Sequence, residues 1–312
     1  MHTIKSFLKD GGYEGYSIEV ASADASFRKY FRISKDDKTY IVMDSSLEKE
    51  SLEPFVKISE KLLSAGVDAP KIYLKDIQGG FLLLEDFGSV DLLSVLDKNN
   101  FKNFYKLAID EILKMQKAST ADLPIYDKAF LKHEMSLMQE WFLDEYIKDN
   151  TYDHDMITQS LETISDEVLY QPQGYFVHRD FHSRNIMVKT DNTLGVIDYQ
   201  DAMNGSITYD LVSILRDLYI KFDQREIEEL VLYFRDKVAP GVSDQEFIKW
   251  FDFMGLQRHI KVLGIFARLY LRDGKDGYLK DLPLTLEYIL EISSKYEQTQ
   301  KLYSYLKTLK LK

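Results

Sequence analysis

The sequence predicts an α+β fold with two lobes, a small β-rich amino-terminal lobe and a larger, mainly helical carboxy-terminal lobe. Short extended segments separated by turn-forming residues fill residues 17–88, whereas apolar residues recur at helical spacing from residue 91 onward. A polar loop followed by two short apolar runs interrupts the helical region at residues 174–201. We therefore expect an amino-terminal lobe over residues 1–88, a helical lobe over residues 89–312, and a cleft between them.

Two hairpins and one helix are predicted in the amino-terminal lobe. The extended stretches are residues 27–33, 39–43, 71–76 and 81–85. A polar turn at residues 34–38 joins the first pair, and the Gln-Gly-Gly segment at residues 78–80 joins the second. Between the hairpins, Pro54 lies in the first turn and Gly66 at the end of an apolar-periodic segment, which is typical of the two ends of a helix.

The carboxy-terminal lobe is predicted from apolar residues at helical spacing. One set is Phe104, Leu107, Ala108, Ile112 and Met115, and another is Phe130, Leu131, Met138, Trp141, Phe142 and Tyr146. A further helix begins near Leu211, and Asp210 is expected to be its amino-terminal cap. A helix predicted over residues 255–268 turns its apolar side chains inward. We therefore expect Arg258 and Lys261 on its surface, where they either receive an anionic substrate or are simply solvated.

Residues 174–201 contain three side chains with the spacing that phosphoryl transfer requires. Asp180 follows a His-Arg pair, Asn185 comes five residues later, and Asp198 ends an apolar run thirteen residues after that. Phosphoryl transfer needs a carboxylate near the acceptor hydroxyl and oxygen ligands for Mg2+. The pattern H-R-D-x-x-x-x-N, followed by a hydrophobic strand that ends in Asp, is the signature of the protein-kinase-like fold, which the sequence therefore predicts. Ordinary turn formation by the three residues is the alternative.

Two neighbours of Asp180 have different expected roles. His178 is expected to brace the loop through backbone hydrogen bonds instead of acting as a base. Arg179 either contacts the substrate or is solvated, and the sequence does not separate these alternatives.

The composition limits the class of partner. The chain has 312 residues, of which 45% are hydrophobic, so it can bury a full core. Its net charge is −11 and its isoelectric point is near 5.1, which disfavours binding to nucleic acid or to an anionic membrane. We expect small-molecule partners and no obligatory protein partner.

The sequence also indicates the cellular compartment of the protein. It contains no cysteine, which excludes a disulfide framework and a thiolate metal site. The first residues lack the apolar core of a secretory signal, and no run of about 18 apolar residues occurs. We therefore expect a cytoplasmic protein.

The amino-terminal lobe offers candidates for nucleotide binding. Asp24, Ala25 and Ser26 precede the first predicted strand, and their small side chains would let backbone amides approach a phosphate, although an ordinary turn is the alternative. The apolar strand that ends at Glu85 turns polar abruptly, as at a hinge between two lobes. There, backbone groups of Glu85 and Phe87 would bind adenine, and a plain core strand followed by a turn is the alternative.

In protein kinases one strand of the amino-terminal lobe carries a phosphate-binding lysine. The corresponding strand of this chain has Met43 in place of that lysine. Another cation must compensate if the protein binds ATP. Arg28 and Arg32 lie four residues apart, hence on one face of the predicted strand, and they are the preferred candidates.

With these residues identified, the chain resembles the aminoglycoside phosphotransferase and choline kinase superfamily. Within it, the chain looks most like the anomeric sugar kinases that phosphorylate N-acetylmuramate and N-acetylglucosamine at the C1 hydroxyl. The resemblance spans nearly the whole chain, through residues 24–32, 42–44, 83–88, 174–201 and 257–269. Members of this subgroup look alike in having Met-Asp where other kinases have the lysine.

The resemblance implies an ATP- and Mg2+-dependent kinase of a small amino sugar, acting in peptidoglycan recycling. By this likeness Asp180 is similar to the catalytic base, and Asn185 and Asp198 to the metal ligands. The candidate substrate-binding residues are His182, Gln200, Asp201 and Arg258.

Other functions stay open at this point. A kinase of the same fold could act on an aminoglycoside, choline or an amino alcohol, and such cationic acceptors are compatible with the net negative charge. Arg258, Lys261 and Arg268 of the helix predicted at residues 255–268 better suit an anionic muramate or a neutral amino sugar. An inactive nucleotide-binding regulator would fit the absent lysine, but it would not need the whole catalytic set. The sequence does not decide between N-acetylmuramate and N-acetylglucosamine.

Overall fold

The computed structural model describes residues 3–22, 28–149 and 151–311. Within them, an antiparallel sheet of five strands forms the amino-terminal part of the fold, in the order β1-β2-β3-β5-β4. The strands are β1 (Ser17–Ser22), β2 (Lys29–Lys35), β3 (Lys38–Asp44), β4 (Ile72–Asp76) and β5 (Phe81–Glu85). Both predicted hairpins are confirmed, whereas the edge strand β1 was not predicted from the sequence.

The sheet is covered on both faces by apolar side chains. Helix α1 (Ile4–Asp10) and the alternate residues Phe81 and Leu83 of β5 belong to one core cluster. Helix α2 (Leu52–Ser64) and the intervening residues Leu82 and Leu84 belong to the main core. Because neighbouring residues of a strand point to opposite faces, the continuous apolar run of β5 fits its position between β3 and β4.

Met43 points into the main core and not into a cleft. It is fully buried, and it belongs to the same apolar cluster as Leu52 and Phe55 of α2. A lysine at this position would place its charge among apolar side chains, which is costly without a partner. The missing lysine is therefore consistent with the packing of this strand.

The second hairpin requires glycine at its turn. Gly80 has φ +91°, a conformation that side chains with a β-carbon rarely adopt. A Cβ added there would also lie 2.6 Å from the Cα of Ser46. The turn between β4 and β5 thus packs directly on the chain that leaves β3.

Helices make up most of the remaining chain. They are α3 (Leu92–Val95), α4 (Phe101–Met115), α5 (Lys128–Leu137), α6 (His154–Tyr170), α7 (Tyr209–Leu215), α8 (Gln224–Val238), α9 (Asp244–Asp273), α10 (Leu282–Ser293) and α11 (Gln300–Leu306). A π-helical segment, Met138–Ile147, continues α5. In the part of the chain that the structure describes, no helix combines the length and apolar character needed to cross a membrane.

Helix α9 lies at the centre of the helical region. It packs against α5, α6, α7, α8, α10 and the π-helical segment, so it is buried on all sides along its middle. Its Gly264 approaches the end of α5 so closely that an added Cβ would lie 2.2 Å from the carbonyl carbon of Leu137. The expectation that Arg258 and Lys261 lie on the surface is wrong, because they are only 2% and 6% exposed.

Two short antiparallel pairs lie between the sheet and the helices. They are β6 (Tyr175–Val177) with β9 (Met203–Gly205), and β7 (Ile186–Val188) with β8 (Leu194–Val196). We propose Gly88 as the boundary between the lobes, because the sheet ends at Glu85 and the first helix of the second lobe begins at Leu92.

Candidate active site

The loop between β6 and β7 is held in place by groups behind it. The Nε2 atom of His178, which is fully buried, lies 3.0 Å from the carbonyl oxygen of Ile197. The backbone N–H groups of His178 and Arg179 donate to the carboxylate of Asp210, at 2.8 and 3.1 Å. Arg179 adopts φ +76°, so the loop turns sharply just before Asp180.

The predicted cap role of Asp210 is wrong. Helix α7 begins at Tyr209 with Thr208 as its N-cap residue, so Asp210 lies inside the first turn. Its buried carboxylate points to the loop and satisfies two backbone donors there. Burial raises the pKa of Asp210 to about 6, although its hydrogen bonds and His178 favour the charged form.

The structure brings Asp180, Asn185 and Asp198 together. The side-chain nitrogen of Asn185 donates to the backbone carbonyl of Asp180 at 3.0 Å and to the carboxylate of Asp198 at 3.2 Å. The β7–β8 hairpin makes this possible, because it returns the chain so that the amide of Ile197 donates to the carbonyl of Asn185 at 3.1 Å. Asp198 itself has φ +65°, which is uncommon for a residue with a side chain.

Positive charges act on Asp180. Burial raises the pKa of this carboxyl, but the positive charges of Lys261 and Arg258 oppose the effect and hold the pKa below its ordinary value. Asp180 is therefore ionised near neutral pH and able to accept a proton.

A cleft of about 370 Å³ opens between the five-stranded sheet and this loop. Residues of its lining include Arg32, Leu84, Phe87, Asn185 and Asp198. The backbone N–H of Glu85 donates to the carbonyl of Lys71, so this N–H is not available to a ligand. The Phe87 ring packs so closely on Gly195 that an added Cβ there would lie 2.4 Å from it.

Arg32 is fixed at the edge of this cleft. Its guanidinium donates to both carboxylate oxygens of Asp86, at 2.7 and 2.9 Å, and to the carbonyl of Gly88 at 2.8 Å. Arg28 comes just before β2 and is half-buried. The other predicted phosphate-binding residues, Asp24, Ala25 and Ser26, lie outside the described residues.

The candidate substrate residues lie at different depths. Gln200 donates to the Asp198 carboxylate at 2.9 Å, and Asp201 next to it is exposed. The His182 ring packs edge-on against Tyr219, with its centroid 5.3 Å away, and burial lowers its pKa. Arg258 is buried, and its Nε and Nη1 atoms have no hydrogen-bond partner among the described residues.

Comparison with known proteins identifies the family. Residues 17–241 match the phosphotransferase enzyme family. The chain belongs to this family. The phosphotransferase is 38% identical to an N-acetylmuramate/N-acetylglucosamine kinase of Neisseria meningitidis over 93% of its length and 90% of the relative's. It is 36% identical to a kinase of the same name from Pseudomonas aeruginosa, covering 91% of this chain and 86% of the relative.

Solved structures confirm the predicted fold. An ethanolamine kinase of Plasmodium vivax has a TM-score of 0.69 at 12% identity, covering 94% of this chain and 87% of its own. An ADP-bound aminoglycoside phosphotransferase, APH(2'')-Ib, has a TM-score of 0.59 at 14% identity, covering 91% and 97%. At these identities the likeness concerns the fold alone.

Next to the candidate catalytic loop of this phosphotransferase lies a buried polar network that the sequence patterns did not reveal. Glu134 of α5 accepts from Arg179 at 2.6 Å and contacts Lys261 of α9 at 3.2 Å. Lys261 also donates to the Tyr209 hydroxyl at 3.1 Å, and Gln257 donates to Glu134 at 3.2 Å. One signal was available, since Glu134 lies between the buried residues of the apolar face of α5.

Proposed function

We propose that this phosphotransferase transfers the γ-phosphoryl group of ATP to the anomeric C1 hydroxyl of N-acetylmuramate or N-acetylglucosamine, as a cytoplasmic step of peptidoglycan recycling. One observation carries the proposal: relatives named for these two substrates are 36–38% identical along nearly the whole chain. The hydrogen bonds that join Asn185 to the backbone carbonyl of Asp180 and to the carboxylate of Asp198 support the same chemistry.

The cleft beneath the sheet is the proposed nucleotide site. Adenine would lie against Leu84, with the Glu85 carbonyl and the Phe87 amide as its backbone partners. Arg32, oriented by Asp86, would supply positive charge near the phosphates. Arg28 and residues 24–26 (Asp24, Ala25, Ser26) are proposed to complete the phosphate site.

Asn185 and Asp198 are the proposed metal ligands. The side chains are in contact, and the carboxylate of Asp198 is exposed at the cleft, so the site offers oxygen ligands of the kind that Mg2+ prefers. Mg2+ usually takes one or two carboxylates and completes its shell with phosphates and water, which fits this small donor set. When bound, Mg2+ would neutralise negative charge on the transferring phosphates.

Asp180 is the proposed general base. The oxygen of the C1 hydroxyl forms the new bond to the γ-phosphorus as the bond to the ADP oxygen breaks, and the hydroxyl proton passes to Asp180. His182, Gln200, Asp201 and Arg258 are proposed to contact the sugar. His182 is the least able to act as a cation there, because burial lowers its pKa.

An acceptor panel tests the proposal. Purified protein with ATP and Mg2+ is expected to release ADP when N-acetylmuramate or N-acetylglucosamine is added, and to remain at the background rate with choline or kanamycin. A coupled assay of ADP formation measures the rates. Release with choline or kanamycin alone would keep the fold and overturn the substrate, and no release with any acceptor would favour an inactive nucleotide-binding protein.

A further inference from the structure

The backbone just before Asp180 has an unfavourable conformation. Arg179 has φ +76°, in the left-handed region, where the β-carbon of any residue other than glycine is crowded by its own backbone. Such a conformation persists only where surrounding contacts impose it, and it is common beside reacting groups. The peptide of Arg179 leads directly into Asp180, so the direction of the proposed base depends on this φ angle.

Helix α5 provides a seat for the Arg179 side chain. Glu134 accepts from Nη2 of Arg179 at 2.6 Å. The guanidinium carbon also lies 5.6 Å from the centre of the Phe130 ring, within the range of a cation–π contact. Phe130 and Glu134 are four residues apart in α5, so they share one face of the helix. This face therefore offers the guanidinium both a charged contact and an aromatic contact.

Glu134 is itself fixed, so it can act as an anchor. Its side chain is only 7% exposed. It lies 3.2 Å from Nζ of Lys261 and accepts from the side-chain nitrogen of Gln257 at 3.2 Å, and both of these residues belong to α9. The Tyr126 hydroxyl donates to the same carboxylate. Because a satisfied buried network is rigid, Arg179 is tied to a fixed point on another helix and not to a mobile surface side chain.

The remaining contacts of the loop act on its backbone. The carboxylate of Asp210 accepts from the N–H groups of His178 and Arg179, at 2.8 and 3.1 Å. These hydrogen bonds need a peptide group at residue 179 but no particular side chain. The side-chain contacts to α5 are therefore the part of the structure that a residue with a β-carbon would need in order to keep φ +76°.

We infer that Glu134 and Arg179 form a clamp that holds the backbone before Asp180 in its left-handed conformation and thereby directs the Asp180 carboxylate toward the acceptor hydroxyl. Both are positioning residues, because neither acts on the reacting atoms directly. The inference rests on the proposed role of Asp180 and adds the groups that orient this base. Glycine adopts the same φ without strain, so the clamp should become dispensable when glycine replaces Arg179.

Arg179→Ala and Arg179→Gly, made in the full-length protein, separate backbone positioning from a direct action of the side chain. Both remove the guanidinium, but only alanine keeps the β-carbon that disfavours φ +76°. Arg179→Ala should lower kcat about 10- to 100-fold, the effect of a small misplacement of a reacting group. Its KM values for ATP and for the acceptor should stay within about threefold of wild type. Arg179→Gly should keep kcat within about fivefold of wild type.

Glu134→Gln tests the anchor, because it removes the charge and keeps the shape of the side chain. It should lower kcat about tenfold in the wild-type background and less than about twofold in the Arg179→Gly background, where no clamp is left to lose. Lys261 loses its carboxylate partner in both backgrounds, so that effect cancels in the comparison. Steady-state kinetics use the acceptor that gives the highest rate in the panel described above.

Glu162→Gln is the matched control. It breaks an ion pair between α6 and Lys132 of α5, and this pair does not involve the candidate catalytic loop. The control should leave kcat unchanged, and circular dichroism should show that every variant folds.

Three results would overturn the inference. Equal losses of kcat in Arg179→Ala and Arg179→Gly, or no loss in either, would mean that the backbone conformation is not what the side chain secures. A higher KM for the acceptor with unchanged kcat would make Arg179 a substrate contact. An equal effect of Glu134→Gln in both backgrounds would show that Glu134 does not act through Arg179. Failure of the proposed base is a separate result, since it would appear as full activity of Asp180→Asn.

Discussion

Replacing Asp180 with asparagine is expected to lower kcat about 100- to 10,000-fold, the range that a general base contributes. The amide has nearly the same shape but cannot accept the proton of the acceptor hydroxyl. The loop should keep its geometry, because Asp210 and His178 hold its backbone without using the Asp180 side chain. Steady-state kinetics with N-acetylglucosamine, and calorimetric measurement of the Kd for ADP, separate catalysis from binding.

The Kd for ADP should stay within about threefold of wild type, since one neutral replacement removes no proposed nucleotide contact. Asp155→Asn, which changes an exposed carboxylate in the first turn of α6, is the control and should leave kcat unchanged. A loss in kcat smaller than tenfold for Asp180→Asn would exclude the base role. The pKa of Asp180 lies below the ordinary aspartate value of 3.8. Protonation of Asp180 should therefore not reduce activity until the pH falls below 3.8.

Replacing Asp252 with alanine is expected to lower the free energy of unfolding by about 3–5 kcal/mol, the usual cost of breaking a buried ion pair. Asp252 is fully buried in α9 and pairs with Arg216, which follows α7. It also accepts from Lys295 at 3.3 Å and from the Tyr296 hydroxyl at 2.8 Å, both just beyond α10. Its removal leaves the buried Arg216 guanidinium without its carboxylate.

Urea denaturation gives the free energy, and the slope with urea concentration should not change. The control is Glu287→Ala, which breaks an exposed ion pair with Lys221 and should cost at most about 1 kcal/mol.

The stabilisation by Asp252 should also depend on pH. Burial raises the pKa of Asp252, but Arg216 and Lys295 outweigh burial and lower this pKa below its ordinary value. Its stabilising effect should thus be present above the unfolded pKa and be lost as the pH falls through the folded value. A destabilisation below about 1 kcal/mol would contradict this account of Asp252.

Local patterns in the sequence predicted that the candidate catalytic residues lie together, because these residues are close along the chain. Asp180, Asn185 and Asp198 lie within one loop and one hairpin, whose geometry depends on short-range turns and strand pairing. The two hairpins of the sheet were predictable for the same reason. Edge strand β1 was missed although Ser17, Ile18, Glu19 and Val20 alternate between polar and apolar, which is the pattern of a strand with one buried face.

Long-range contacts account for what the sequence did not predict. Helical periodicity placed Arg258 and Lys261 outward, but α9 is enclosed by other helices, and a central helix has no solvated side. The carboxylate that balances Lys261 is Glu134, which is more than 120 residues away. Asp210 was assigned to a helix end from its immediate neighbours, whereas its partners are the backbone of the catalytic loop.

The position of the transferred phosphate tests the central claim most directly. Phosphorus NMR of the protein with ATP, Mg2+ and N-acetylglucosamine or N-acetylmuramate should show ADP together with a new phosphate ester, whose resonance is split by coupling to the anomeric proton. That splitting would place the phosphate on C1. A phosphate ester without coupling to the anomeric proton, or ADP with inorganic phosphate and no sugar ester, would contradict the proposed reaction.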